Sequence, residues 1–235
     1  MKRLLEGKTA IITGASSGIG RESAYLFAEA GCNLIITARR EERLKEVKEK
    51  CASFGVRCEY VIGDCREEAI AKECVSKAIS LFGKLDILVN NAGMGKKILL
   101  VDSTIEDYHE MMDTNVLSSF LFSKYAAKEM LQRGGGKIIF VSSVTGHTGH
   151  QDETIYTMTK FAQRGLAQAI DKELSAQGIQ TSVICPGGTK TEFQLGYGRT
   201  LEKVASSSWE SPEEVAIGIL YAAAASNTVT EIRMK

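Results

Sequence analysis

Proline and net charge are both scarce in this sequence. Two prolines and a hydrophobic fraction of 44% indicate a globular chain rather than a disordered one. Lysine plus arginine number 29, as do aspartate plus glutamate, so the strongly basic footprint typical of nucleic-acid binders is absent. No apolar run approaches the roughly 20 residues that span a bilayer. We therefore expect neither a nucleic-acid partner nor a membrane partner, and 235 residues suit one α/β domain.

The six cysteines lack the spacing of a metal site, because no Cys-x-x-Cys pair occurs and no histidine stands at ligand spacing beside them. We therefore expect no metal. Cys32, Cys65 and Cys185 lie in or beside apolar stretches and are interpreted as small buried hydrophobic residues. Residues 1–7 are short and charged, with no secretory leader. Free thiols in such a chain indicate a reducing, cytoplasmic location.

Short apolar segments alternate with longer amphipathic ones along the chain. The predicted strands, rich in Ile and Val without polar alternation, are Thr9–Thr13, Asn33–Ala38, Cys58–Ile62, Asp86–Asn90, Lys137–Ser142, Gln180–Cys185 and Thr228–Met234. The predicted helices are Gly18–Ala30, Arg40–Phe54, Glu67–Phe82, Thr104–Arg133, Tyr156–Ala176 and Ser211–Ala225. This order predicts a doubly wound parallel sheet of seven strands with helices on both faces.

The first predicted strand leads directly into a glycine-rich loop and then a helix. Backbone N–H groups can approach a pyrophosphate closely only where side chains are missing, and this loop contains Gly14, Gly18 and Gly20. Ser16 and Ser17 add hydroxyl donors. The spacing Gly-x-x-x-Gly-x-Gly departs from the common Gly-x-Gly-x-x-Gly. After the first strand of an α/β chain it predicts a dinucleotide phosphate site, the alternative being a tight strand–helix turn.

Further motifs follow this loop in order along nearly the whole chain. They are Asp64, Asn90-Asn91-Ala92-Gly93, Asn115, Ser143, Tyr156-Thr-Met-Thr-Lys160 and Pro186-Gly187. With these motifs the sequence resembles the short-chain dehydrogenase/reductase family, and within it the 3-oxoacyl-carrier-protein reductases and the 3-hydroxy acid or serine dehydrogenases. The resemblance implies a single Rossmann-like domain over residues 1–235. It also implies an oxidoreductase that moves a hydride between a nicotinamide cofactor and a carbonyl or secondary alcohol.

The end of the second predicted strand favours NADP(H) over NAD(H). NAD enzymes place an acidic side chain there, against the ribose 2′-hydroxyl. This chain has Ala38 followed by Arg39 and Arg40, and the carboxylates of Glu41 and Glu42 belong to the next helix. The planar guanidinium of Arg39 suits a 2′-phosphate, or stacking on adenine. The alternative is that both arginines are solvated residues that open a charged helix.

Tyr156 and Lys160 lie four residues apart on a predicted helix and so share a face. Reduction of a ketone needs a hydride on carbon and a proton on oxygen, and we assign the proton to Tyr156. Moving a tyrosine pKa from about 10 to about 7 takes roughly 4 kcal/mol, for which Lys160 and the cationic nicotinamide are the predicted sources. Ser143, rather than Ser142, would donate to the substrate oxygen. By resemblance, Asn115 holds a water that links Lys160 to solvent as a proton relay; its alternative role is to satisfy a helix irregularity.

The resemblance also assigns residues to the cofactor. They would contact the pyrophosphate, the adenine, the two riboses and the carboxamide, and they are Gly14, Ser16, Ser17, Gly18, Ile19, Gly20, Arg39, Arg40, Asp64, Cys65, Asn90, Ala92, Gly93, Tyr156, Lys160, Pro186, Gly187, Thr189 and Thr191. Thr189 stands where the family often has Val or Ile, so there the contact is expected from the backbone.

Residues 192–208 are predicted to form a lid over the substrate. Candidates for the pocket wall are Met94, Gly95, Phe193, Leu195 and Tyr197. His147 and His150 are interpreted either as substrate-binding residues or as part of a polar loop. In the family the two long helices that contain Asn115 and Tyr156 pack between subunits, so a homodimer or homotetramer is implied.

The predicted function is NADPH-dependent reduction of a small carbonyl of the 3-oxoacyl or 3-hydroxy acid type. Three alternatives stay open at this point. One is a catalytically silent NADP-binding regulatory protein, another is a hydroxysteroid or sugar dehydrogenase, and the third is an epimerase or dehydratase on the same fold.

Overall fold

Seven strands and eight α-helices alternate along residues 3–234, the part of the chain that the structure, a computed structural model, describes. The strands are β1 (Thr9–Thr13), β2 (Asn33–Ala38), β3 (Cys58–Ile62), β4 (Ile87–Asn90), β5 (Gly136–Val141), β6 (Ile179–Cys185) and β7 (Glu231–Arg233). The helices are α1 (Gly18–Glu29), α2 (Glu41–Ala52), α3 (Glu68–Phe82), α4 (Ile105–Met112), α5 (Ser118–Leu131), α6 (Thr154–Leu174), α7 (Leu201–Ala205) and α8 (Pro212–Ala224).

All seven strands form one parallel sheet in the order β3-β2-β1-β4-β5-β6-β7. The predicted doubly wound α/β fold is therefore confirmed. The strand order reverses between β1 and β4, which are neighbours in the sheet. In open α/β sheets ligands bind at such a reversal, in the crevice beyond the carboxyl ends of the strands. Thr13 and Asn90 end these two strands and so mark the crevice.

The central strands, such as β1 and β4, are buried on both faces, which explains why their sequences are largely apolar. Ile12 and Ile36 belong to the core that contains buried residues of α1, α2 and α8. Ile11 and Ile35 belong to the core on the other side, with α3, α5 and α6. Burying one such side chain contributes about 1.5–3 kcal/mol. Two packed layers therefore hold the strand ends in place beneath the crevice.

A π-helical turn, Asp113–Leu117, separates α4 from α5. The single helix predicted over Thr104–Arg133 is therefore wrong at its centre. A π turn inserts one residue into the helical repeat, and apolar residues continue on both sides of it, so hydrophobic periodicity does not reveal the break. Asn115 lies inside this turn and is fully buried. This position agrees with the alternative role given to Asn115, that of satisfying a helix irregularity.

Two other segments differ from the prediction. A strand was predicted over Thr228–Met234, but only Glu231–Arg233 pairs with β6. The short helix α7 lies inside the predicted lid and was not predicted, because five residues carry too little periodicity. Its start is marked by Thr200, whose hydroxyl accepts a hydrogen bond from the backbone N–H of Lys203.

All six cysteines are buried free thiols. The predicted burial of Cys32, Cys65 and Cys185 is thus confirmed. Desolvation raises the pKa of the Cys185 thiol to about 11, so this group stays protonated at neutral pH. Among the helices of residues 3–234, none combines the length and the hydropathy of a membrane-spanning segment.

Candidate active site

Residues 13–20, which run from the last residue of β1 into the first turn of α1, need glycine at three positions, and we call this segment the cradle. A Cβ atom on Gly14, whose φ is +66°, would lie 3.0 Å from Asn91 Nδ2. On Gly20 it would lie 2.4 Å from the same nitrogen and 2.5 Å from the Gly14 carbonyl oxygen. On Gly18 it would lie 3.0 Å from Thr191 Cγ2. The cradle thus exposes backbone at the start of a helix, where N–H groups and the helix dipole favour an anion, and a pyrophosphate fits this arrangement.

Thr13 and Asn91 join the ends of β1 and β4. The Thr13 hydroxyl accepts hydrogen bonds from the backbone N–H groups of Asn91 at 3.0 Å and Ala92 at 2.9 Å. The Asn91 amide donates to the Thr13 carbonyl at 2.8 Å. Asn90, by contrast, donates its amide to the Ser123 hydroxyl in the core at 2.9 Å. Asn91, for which no role was predicted, therefore holds together the two strand ends that border the crevice. The Asn90 side chain instead anchors the end of β4 to α5 within the core.

Arg40 links the cradle to the first residue of the lid, residues 192–208. Its guanidinium donates to the Ser16 hydroxyl at 3.0 Å and to the Ser17 hydroxyl at 2.6 Å. It also forms an ion pair with Glu192 at 2.8 Å, and Arg43 approaches the same carboxylate at 2.7 Å. Hydrogen bonds from the two arginines lower the pKa of Glu192. Arg40 therefore has protein partners in the cradle rather than solvent alone.

Arg39 is exposed at the end of β2 and has no hydrogen-bond or ion-pair partner within residues 3–234. Its neighbour Ala38 is buried, and the first two carboxylates of α2 pair with Lys45. Asp64, after β3, accepts hydrogen bonds from Arg66 that lower the pKa of its carboxyl, and the charge of Arg39 lowers this pKa further. An unpaired guanidinium thus stands beside the predicted adenosine site.

Tyr156 is buried on α6, with the hydroxyls of Ser143 and Thr145 beside its phenol. Burial raises the pKa of Tyr156, and the neighbouring hydroxyls of Ser143 and Thr145 oppose this rise. The Ser143 hydroxyl also accepts a hydrogen bond from the backbone N–H of Thr145 at 3.2 Å. Ser142 donates instead to the Lys160 carbonyl at 3.1 Å. Ser143 is therefore the serine placed to act with Tyr156, and Thr145 is a neighbour that was not predicted.

The start of the lid covers Tyr156. The ring centroids of Phe193 and Tyr156 are 5.6 Å apart, and Met94 packs against the same cluster. A Cβ atom on Gly95 would lie 2.9 Å from Phe193 Cζ and 3.1 Å from Tyr156 Cδ2. Phe193, Met94 and Gly95 thus stand where a pocket wall was predicted, whereas Tyr197 is 49% exposed.

Lys160 is buried, and two acceptors hold its amine. Nζ donates to the Val141 carbonyl at 3.0 Å and to Gln163 Oε1 at 2.8 Å, and it lies 5.5 Å from the centroid of the Tyr156 ring. A Cβ atom on Gly93 would lie 3.7 Å from the same nitrogen. Burial lowers the pKa of Lys160 to about 7. Burial of both groups thus works against the predicted lowering of the Tyr156 pKa by Lys160.

Asn115 is held by protein groups on every side. Its Oδ1 accepts from the Met94 backbone N–H at 2.7 Å, and its Nδ2 donates to the Met94 carbonyl at 2.8 Å and the Thr159 hydroxyl at 2.9 Å. Its own carbonyl oxygen accepts from Gln163 Nε2 at 2.8 Å and from the Ser119 hydroxyl at 2.7 Å. The π turn frees this carbonyl for side-chain donors.

The turn after β6 faces the same crevice. The Pro186 carbonyl accepts from the Val144 backbone N–H at 2.9 Å, which ties this turn to the segment after β5. The Thr189 hydroxyl donates to the Gly187 carbonyl at 3.4 Å, so its side chain supports the turn. Thr191 reaches the cradle through its methyl group. The structure therefore brings the predicted carboxamide-binding segment next to the cradle.

Neither of the two histidines that follow β5 forms a hydrogen bond with Tyr156 among the described residues. His147 Nε2 lies 3.2 Å from a Glu231 carboxylate oxygen, and His150 is exposed. His147, Cys185 and Glu231 form a group with potential metal ligands. Glu231 also pairs with Arg164 at 3.0 Å, which supplies its counter-charge. We interpret this group as a structural network between β7 and α6.

Known proteins resemble this chain over most of its length. The family model for short chain dehydrogenases matches residues 8–201. The 3-oxoacyl-[acyl-carrier-protein] reductase FabG of Aquifex aeolicus is 30% identical over 227 residues, covering 94% of this chain and 92% of that protein. A short chain dehydrogenase from Burkholderia cenocepacia in complex with NADP has a TM-score of 0.89 at 26% identity, covering 98% of this chain and 97% of its own. One from Mycobacterium paratuberculosis bound to NAD gives the same four values.

Replacing Lys160 by methionine should change how stability depends on pH. The folded pKa of about 7 lies below the ordinary value of 10.5, so between these values the unfolded state binds more protons and wild-type stability rises with pH. The buried ammonium lowers the free energy of unfolding by its full amount below about pH 7, and this destabilisation disappears towards about pH 10. The free energy of unfolding of Lys160→Met should therefore exceed that of wild type by most at low pH. This excess should fall by at most about 1.4 kcal/mol per pH unit as the pH rises.

Urea unfolding of the nucleotide-free protein at about pH 6, 7.5 and 9 measures this difference. Lys172→Met is the matched control, because Lys172 is exposed on the same helix. A difference between Lys160→Met and wild type that stays constant across this range contradicts the prediction.

Proposed function

The chain belongs to the short-chain dehydrogenase/reductase family of oxidoreductases, and from this premise we propose that it reduces a small carbonyl compound with NADPH. One observation carries the proposal. Tyr156 is buried beside Ser143 at the carboxyl edge of the sheet, with Lys160 one helical turn away. A phenol, a hydroxyl donor and an amine so placed can deliver a proton to a carbonyl oxygen and stabilise the charge that results.

The protein groups take the proton side of the reaction. NADPH, when bound, supplies the hydride. Tyr156 donates its proton to the substrate oxygen, and Ser143 donates a hydrogen bond to the same oxygen as negative charge develops there. Lys160 then stabilises the phenolate. Because burial raises the pKa of Tyr156, the phenol keeps its proton at neutral pH, which is the form that reduction requires.

NADPH is proposed because of the residues at the end of β2. Similar solved structures contain NADP in one case and NAD in another, so the family alone does not choose between them. Arg39 is exposed and unpaired within the described residues, and it follows the buried Ala38. A guanidinium without a carboxylate partner suits a 2′-phosphate. The backbone of the cradle would hold the pyrophosphate, and Asp64 would face the adenine.

The substrate we propose is a small oxo acid, with its carboxylate bound by Arg199 of the lid. The Arg199 guanidinium lies 4.4 Å from the Trp209 ring centroid and 5.6 Å from that of Phe193, which covers Tyr156. Its Nε is buried without a partner in the described part of the chain. Lys96 and Lys97, in contrast, pair with acidic residues. Similarity to a 3-oxoacyl-[acyl-carrier-protein] reductase supports a 3-oxo group. The Arg199 guanidinium donates only a long hydrogen bond, 3.5 Å, to the Thr189 carbonyl and has no acidic partner among the described residues, which favours a free acid over an acyl carrier protein.

We further propose a homodimer or homotetramer in a reducing cytoplasm. Large apolar side chains are exposed on α6 and on the helix that begins at the π turn, and a second such group lies on α8: Leu117, Phe120, Met158 and Phe161 in the first group, Ile217 and Tyr221 in the second. One patch suffices for a twofold dimer and two suit a tetramer. The buried free thiols agree with a reducing compartment.

Tyr156→Phe should abolish most turnover while leaving NADPH binding nearly intact. The phenyl ring still fills the buried site, but the proton donor is lost, so kcat should fall about 10²- to 10⁴-fold. NADPH absorbance, followed with a panel of ketones and oxo acids, measures turnover, and NADPH fluorescence measures binding. Tyr25→Phe, on α1, is the control and should behave like wild type. Turnover by Tyr156→Phe close to that of wild type would exclude Tyr156 as the proton donor.

Arg39→Asp, with Ala38 kept, should weaken NADPH much more than NADH. Loss of a charge-assisted contact to a phosphate raises the Kd for NADPH about 10- to 100-fold, whereas NADH has no phosphate to lose. Titration of both cofactors against wild type and variant gives the four values needed. Arg133→Asp makes the same charge change at the opposite end of the sheet and should alter neither value. Tighter binding of NADH than of NADPH by the wild type would overturn the cofactor assignment.

Arg199→Gln should weaken the binding of oxo acids but not that of uncharged ketones. The KM for a short 3-oxo acid should rise about tenfold or more, because a charged hydrogen bond is lost, while the KM for the matching methyl ester should change little. Lys97→Gln, which removes a lysine already paired with Asp152, should show no such difference. Equal losses for acid and ester would mean that Arg199 holds the lid and does not bind the carboxylate.

A further inference from the structure

Gln163 is a fully buried polar residue with no role in the reaction described so far. Tyr156, Lys160 and Gln163 follow one another at spacings of four and three on α6, so they share one face of the helix. Gln163 Oε1 accepts from Lys160 Nζ at 2.8 Å. Its Nε2 donates to the Asn115 carbonyl at 2.8 Å and to the Ser119 hydroxyl at 2.9 Å. Both N–H groups and the oxygen of the amide thus have partners.

We propose that Gln163 is a positioning residue that bridges Lys160 and Asn115 in the place where family resemblance implies a water molecule. The proposal rests on the carbonyl reduction proposed above. The Asn115 carbonyl accepts from Gln163 and from Ser119. These two bonds use both lone pairs of the oxygen. A side chain of this protein therefore occupies the hydrogen-bonding position that a relay water would need.

A water molecule can conduct a proton between its hydrogen-bond partners, whereas an amide cannot. Water accepts and donates through the same oxygen, so a proton that arrives on one side can be matched by one that leaves on the other. The Gln163 amide accepts through Oε1 and donates through Nε2, so it holds the Lys160 amine without conducting a proton to Asn115. The proton that returns to Tyr156 after each reduction therefore enters from the crevice, past Ser143 and Thr145.

The amide also helps to keep Lys160 charged. Burial disfavours the ammonium, and an acceptor at 2.8 Å favours it. A charged Lys160 favours the phenolate of Tyr156, the form that accepts a proton when an alcohol is oxidised. Without the acceptor, the pKa of Tyr156 should be higher. The rising limb of the pH profile for alcohol oxidation should therefore move to higher pH.

Two substitutions separate this role from simple space filling. Gln163→Met keeps the length of the side chain but removes the amide. Gln163→Ala leaves a space lined by the Asn115 carbonyl, the Ser119 hydroxyl and the Lys160 amine, three partners of the kind a buried water requires. If Gln163 only filled space, Met would be tolerated better than Ala. If it bridges polar groups, Ala should be tolerated better, because a water can restore the bridge.

The test is the pH profile of kcat/KM for oxidation of a secondary alcohol with NADP⁺, together with rates in mixtures of H₂O and D₂O. Gln163→Met should lose about tenfold or more in kcat/KM and move its rising limb to higher pH. Gln163→Ala should lose less, keep the limb near that of wild type and give a curved dependence on D₂O fraction, where wild type gives a straight line. A Gln163→Met profile that coincides with wild type, or a greater loss in Gln163→Ala than in Gln163→Met, overturns the proposal.

Thr181→Val is the matched control, since the buried Thr181 hydroxyl donates to the Ala167 carbonyl of α6 and does not contact Lys160. It should lower stability without moving the rising limb of the pH profile.

If Gln163→Met does not fold, the D₂O dependence of Gln163→Ala tests the proposal by itself. Urea unfolding of the nucleotide-free protein adds a readout without turnover, in which Gln163→Met should move the pH dependence due to Lys160 to lower pH. Absence of any wild-type turnover would count against the proposed function, whereas unfolding that is unchanged by Gln163→Met would count against the role of Gln163.

Discussion

The close approach of two backbone turns, one after β1 and one after β4, is the constraint on which the site depends. Gly14 and Gly20 lie so near Asn91 that a methyl group on either would meet it at 3.0 Å or less. Asn91 uses this closeness to donate to the Thr13 carbonyl. The chain thereby opens a crevice where the strand order reverses, and it lines one wall of this crevice with main-chain groups. This contact fixes the position of the cradle against the turn after β4, in which Gly93 lies beside the Lys160 amine.

The catalytic half of the site places two titratable groups, the Lys160 amine and the Tyr156 phenol, away from water and beside polar neighbours. An amine and a phenol are both removed from water on α6, which lowers the pKa of Lys160 and raises the pKa of Tyr156. Each is then given specific neighbours: acceptors for the amine and hydroxyls for the phenol. The π turn contributes by presenting the Asn115 carbonyl sideways to the Gln163 amide. The helix irregularity and the catalytic lysine are therefore parts of one network.

The sheet and most of the site could be predicted from the sequence, because strand burial, tight turns and proton chemistry each restrict residue type strongly. The glycines of the cradle and the Tyr156–Lys160 pair are such cases. The π turn could not be predicted, since apolar residues continue through it. Gln163 was missed although its spacing places it on the face of Tyr156, because glutamine within a helix is most often exposed. The pairing of Arg40 with Glu192 joins residues 152 positions apart, and only the folded chain brings them together.

The six buried cysteines have a consequence for the chemistry of the chain outside its active site. Thiols react as thiolates and only when reagents can reach them. Here burial both shields the sulfur atoms and, for Cys185, holds the pKa near 11. Modification of these groups by an alkylating or oxidising reagent must therefore wait for local opening of the protein. The cysteines lie on or next to α2, α3, β2, β3 and β6, so the rate of covalent labelling at each one measures how often that part of the fold opens.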